Sequence, residues 1–132
     1  MRRRLVGFFL ASVFLVSAVG GAARAAEAVN AELIRLHDDL RLSGSQEADW
    51  HAYTTAIAPD RQALARHRAT TELLPMVPTP RRIALIEATM AQDALDFRRQ
   101  GAAVNAFYDK LTAEQQKTFD RDTAPSNSDE RP

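Results

Sequence analysis

TPRRIALIEATMAQDALDFRRQGAAVNAFYDK, residues 79–110, is the stretch that decides the fold. It opens on Thr79 as a helix cap with Pro80 at the first helical position, and no proline interrupts it afterwards. The spacing predicts one helix of some thirty residues, about 45 Å long at ~1.5 Å per residue. Its apolar residues fall on two faces. One stripe is Ile83, Ile86, Met90, Ala94, Phe97, Gly101, Val104, Tyr108 and on to Leu111, each step three or four residues. The other is Ala84, Ala88, Ala91, Leu95, Ala102 and Ala106, small enough for a second helix to come close. A helix apolar on two sides needs more neighbours than a small domain supplies. That mismatch predicts a homodimer with this helix in its interface.

Two copies of one pattern flank the helix at a distance. Leu42-Ser43-Gly44-Ser45-Gln46 leads to Trp50, and Leu111-Thr112-Ala113-Glu114-Gln115 leads to Phe119. A hydroxyl residue followed three positions later by Gln is a capping box: the hydroxyl accepts from an orphan amide, and the Gln reaches back to the cap amide. Each aromatic lies about two turns beyond its cap. The motif residues Leu42, Ser43, Gln46, Trp50, Leu111, Thr112, Gln115 and Phe119 therefore read as architecture before chemistry.

The rest of the chain is helical in pattern. Val29, Leu33, Leu36 and Leu40 predict a first helix over about 28–40. A second starts at the Ser43 cap with Trp50, Tyr53 and Ile57 on one side. Pro59 either kinks it or begins a new helix, and the segment runs to about Leu74. Pro75-Met76-Val77-Pro78 breaks the chain. A final helix spans Thr112 to about Asp122. No alternating strand pattern or hairpin turn is present, so the expected fold is all-α with about four helices, the long one kinked or continuous.

Residues 1–25 read as a cleaved secretory signal: Arg2-Arg3-Arg4, an apolar run from Leu5 to Val19, and Ala23-Arg24-Ala25 as the cleavage site. The competing reading is an uncleaved anchor; both imply export. Residues 26–123 form the expected domain and 124–132 a disordered tail. Removing Arg2, Arg3, Arg4 and Arg24 from the 17 basic residues leaves 13 against 17 acidic ones, a mature net charge of −4. An acidic chain without a basic stripe argues against nucleic acid as partner. With no cysteine, disulfides, thiolate metal sites and thiol nucleophiles are excluded.

These residues resemble the LTxxQ-motif family of periplasmic proteins (Spy/CpxP-like). The second motif copy matches in full, the first has Ser for Thr and carries Gly44, and Trp50, Thr79-Pro80-x-Arg82 and Ala106-Phe107-Tyr108 fit as well, so the similarity spans roughly 32–121. The resemblance implies a dimer forming a thin, curved, cradle-like helical assembly. It also implies a periplasmic, ATP-independent chaperone-like protein that binds unfolded or misfolded polypeptides and limits their aggregation. The alternative is an envelope-stress or metal-responsive regulator acting on a sensor partner. No cofactor is implied, nor stable membrane insertion after cleavage.

The residues themselves support a binding protein over an enzyme. No phosphate loop, nucleophile elbow or zinc-protease motif is present. His37, His51 and His67 are the only soft metal-ligand candidates, and their spacings of 14 and 16 residues place no two on one helix face. Arg61, Arg66 and Arg68 cluster, and Phe97 is followed by Arg98. On the plain reading these are solvated helix faces; on the functional one they are client contacts, guanidinium groups steering acidic segments onto apolar side chains.

Overall fold

The computed structural model describes residues 19–125. Most of the segment expected to be a signal at 1–25, and all but two residues of the tail expected at 124–132, lie outside them. Among the described residues every regular element is helical. They are α1 (Val19–Leu40), α2 (Glu47–Ile57), α3 (Arg61–Leu73), α4 (Thr79–Tyr108) and α5 (Ala113–Thr123), with 3-10 turns at Gly44–Gln46 and Leu74–Met76.

Local chemistry sets these boundaries. Pro59 ends α2 and α3 begins after it, the second of the two outcomes expected of this proline. Ala58 before it is driven to extended backbone (φ −60°, ψ 147°). Asp60 then caps α3, its Oδ1 accepting from the Gln62 amide at 2.8 Å. α4 is continuous over 30 residues. Its cap position is Pro78 and not Thr79, because Pro78 is extended (φ −66°, ψ 157°) and its carbonyl accepts the first helical bond, from the Arg82 amide at 3.0 Å. α1 begins nine residues earlier than its apolar periodicity predicts. The added turns are rich in alanine, the strongest helix former, and need no packing face to be helical. α1 stops where Arg41 turns left-handed (φ 49°), a conformation usually left to glycine.

Chain contacts divide the molecule into two compact units, residues up to Ser45 with Leu111 onward, and Gln46–Lys110. In the first, α1 packs on α5. Its buried residues are Leu36, Leu40, Leu111, Phe119 and Thr123, the last donating its hydroxyl to the Phe119 carbonyl at 2.7 Å. In the second, α2 and α3 both pack on α4. Its buried centre is Tyr53 and Phe107, whose rings stack at 4.9 Å with 18° between planes. Trp50 tilts against both, at 5.4 Å from Tyr53 and 5.6 Å from Phe107. Burial withholds water from the Tyr53 phenolate and pushes its pKa up to about 12.

Candidate functional site

The two motif copies are built differently. At the second, Thr112 Oγ1 accepts from the Gln115 amide at 3.2 Å while Gln115 Oε1 accepts from the Thr112 amide at 2.9 Å, a complete capping box. At the first, a 3-10 turn separates Ser43 from α2, so Gln46, in helical conformation (φ −90°, ψ −11°), occupies the cap position. Gly44 and Ser45, weak helix formers, are where the pattern loosens. Ser43 Oγ lies 3.0 Å from Ser45 Oγ, and Leu42 is half-buried.

Both motif glutamines also do something that a capping box does not describe. Gln46 Nε2 donates to the Lys110 carbonyl at 2.8 Å, just past the end of α4. Gln115 Nε2 donates to the Leu40 carbonyl at 3.1 Å, at the end of α1. Each therefore satisfies an orphan carbonyl at a helix C-terminus within its own unit, across 64 and 75 residues of chain. Trp50 belongs to the aromatic cluster and Phe119 is buried, so the motifs are spent on architecture.

The exposed surface of α4 is of a different kind. Its packing face runs Leu85, Thr89, Gln92, Asp93, Asp96, Gln100, Ala103 and Phe107, all buried or half-buried, joined towards the C-terminal end by half-buried Gly101, Val104 and Tyr108 of the first apolar stripe. That row lies between the two apolar stripes expected from periodicity and carries polar residues along much of its length. Its partner explains the choice: α3 meets α4 antiparallel through polar rungs. Arg66 Nη2 contacts Asp96 Oδ2 at 2.5 Å, His67 Nε2 lies 2.9 Å from Asp93 Oδ1, and the Thr70 and Thr89 hydroxyls are 3.1 Å apart. Asp96 also accepts from Gln92 at 3.2 Å and lies 3.6 Å from Arg99. Half-exposed ion pairs of this sort are worth only about 0–1 kcal/mol each.

The large residues in the N-terminal two thirds of the first apolar stripe are consequently turned outward. Ile83 is 53% exposed, Ile86 43%, Met90 65% and Phe97 49%, and all four share one helix face. Leu95 is exposed on the other strip, as are Leu64 and Leu73 on α3. The register of the polar rungs puts Leu64 level with Phe97. Arg61, Arg68 and Arg98 are exposed. Arg66 is not available in the same way, since it is paired with Asp96. Asp93 and Asp96 lie outside the site residues expected from sequence; their one local signal is two carboxylates three residues apart within an apolar, alanine-rich run.

The histidines stay apart in their contacts. His37 Nδ1 lies 3.9 Å from Asp38, His51 Nδ1 lies 3.1 Å from the Thr55 hydroxyl, and His67 pairs with Asp93. Among the described residues no three His, Asp or Glu side chains are grouped to hold a metal ion, and no helix is long and apolar enough to cross a membrane.

Residues 29–123 match the family model described as LTXXQ motif family protein. No curated protein and no solved structure matches the chain.

Proposed function

The chain belongs to the LTXXQ motif family, typically periplasmic and Spy/CpxP-like, and from that premise we propose an exported, ATP-independent chaperone-like protein that binds non-native polypeptides and limits their aggregation. The observation that carries this reading is the outward row Ile83, Ile86, Met90 and Phe97, with exposed Arg98 following Phe97 and exposed Arg61 and Arg68 on α3 adding positive charge to the same unit. Covering a whole side chain of this size contributes about 1.5–3 kcal/mol, so four half-covered ones contribute about 4 kcal/mol before the cost of ordering the bound chain. Such a gain corresponds to roughly millimolar affinity. Contact therefore has to be shallow, reversible and assisted by charge, which suits holding a chain that must still fold.

The test is light scattering from a chemically denatured model client with stoichiometric mature protein. Suppression is expected at low salt, weaker at high salt, and strongly reduced in Met90→Ser/Phe97→Ser. Absence of suppression at every salt concentration refutes the reading. Co-purification of one stoichiometric membrane protein in place of many heterogeneous chains would favour the regulatory alternative.

We also propose that the active form is a homodimer through α4. Glu87 and Arg98, eleven residues apart on the outward side, have no ion-pair partner among the described residues. Two antiparallel copies meeting over Ala91 and Ala94 would pair Glu87 of each copy with Arg98 of the other, the reciprocity that two-fold symmetry demands. Sedimentation equilibrium should show dimers at tens of micromolar. Glu87→Arg should give monomers, and Glu87→Arg/Arg98→Glu should restore the dimer.

A further inference from the structure

Helix α3 is attached to α4 unlike any other helix in its unit. It has no buried residue, whereas α2 contributes Tyr53 and α4 contributes Phe107 to the core. The side-chain bonds that tie it down are the three rungs Arg66–Asp96, His67–Asp93 and Thr70–Thr89, all only part-buried. Both of its ends are chain breaks: extended Ala58 before Pro59 on one side, and the Leu74–Met76 turn with Pro75 followed by extended Val77 on the other. A thirteen-residue helix is marginal by itself and depends on what it packs against. Weak rungs, free ends and no core anchor define the segment that opens first.

We propose that α3 is a detachable flap on α4, held by part-buried polar rungs, whose opening uncovers two carboxylates beside the apolar row. Closed, α3 covers Asp93 and Asp96 with His67 and Arg66, while Arg61 and Arg68 share its opposite face, turned away from α4. Open, it carries Arg66 and His67 away and leaves the two carboxylates uncovered on the middle of α4. An acidic segment held on the row then meets like charge when the flap opens, so the fold contains its own means of release. This role rests on the binding reading given above; the opening itself does not.

Hydrogen exchange of the mature protein, with no polypeptide added, tests the opening. Amides of α3 should exchange at least tenfold faster than those of α2 and of the C-terminal half of α4. Raising NaCl from 50 mM to 1 M should speed α3 further without changing α2. Arg66→Gln/His67→Gln should show about a tenfold increase already at low salt, the loss expected for one ion pair and one polar contact, both part-buried. Because the chain has no cysteine and the Thr70 and Thr89 hydroxyls are 3.1 Å apart, Thr70→Cys/Thr89→Cys gives a lock. Oxidised, it should abolish the fast exchange, and reduction should bring it back. Exchange of α3 in step with α2 in all these conditions overturns the flap. A fast α3 in a protein that protects no client leaves the flap standing and sinks the binding reading alone.

Discussion

Replacing Phe107 by Ala should remove the centre of the Gln46–Lys110 unit. Phe107 is 2% exposed and touches both Tyr53 and Trp50 through its ring. A buried Phe→Ala change costs about 3–5 kcal/mol, the sum of lost transfer energy and the cavity left behind. The stacked Tyr53 pair places the expected value in the upper half of that range. A domain of this size has only about 5–15 kcal/mol of stability in total, so about a quarter or more disappears. The assay is urea unfolding followed by fluorescence of Trp50, the sole tryptophan, which reports the same cluster, with circular dichroism in parallel. At a slope of about 1–2 kcal/mol per molar urea, a 4 kcal/mol loss lowers the midpoint by about 2–4 M. Phe107→Leu, which keeps most of the volume, should cost only about 1 kcal/mol. A loss below about 1 kcal/mol for the alanine variant would refute the assignment of this cluster as the core of the unit.

Three further outcomes follow from other contacts. Arg41→Gly should stabilise the protein by about 1 kcal/mol, since an exposed non-glycine residue in the left-handed region pays a steric cost that glycine escapes; a fall in melting temperature would contradict it. Gln115→Ala removes both the bond to the Thr112 amide and the bond to the Leu40 carbonyl and should cost about 2 kcal/mol, against about 1 kcal/mol for Gln46→Ala, which loses its bond to the Lys110 carbonyl; equal effects in chemical denaturation would argue against the double role. Tyr53 has its folded pKa raised from 10.0 to about 12, so the unfolded chain ionises first: its stabilising contribution is complete below pH 10 and declines as pH rises towards 12. Tyr53→Phe should flatten that alkaline decline in melting temperature, and an unchanged profile would count against the buried phenol as its source.

Much of the molecule was legible in its amino-acid order because the signals are local. Pro59, Pro75 and Pro78 mark breaks wherever they fall, and the Thr112–Gln115 box is closed by residues three apart. Helical periodicity needs only one turn of neighbours to be read. The same locality carried the family assignment, since the motif lies in a few adjacent residues. What periodicity could not decide was which side of α4 would be inside. Two apolar stripes were visible, yet the packing face is the row between them, because α3 offers Arg66, His67 and Thr70 and can only be matched by Asp96, Asp93 and Thr89. The choice depends on a helix that lies 19 to 30 residues away in sequence, and no local pattern encodes it. For the same reason Arg66, grouped with Arg61 and Arg68 by position, is separated from them by its partner. The apolar row of α4 was thus determined by sequence alone, but its exposure, and with it the surface proposed to bind, was decided by tertiary structure: a polar ladder claimed the neighbouring face and left the row turned to water.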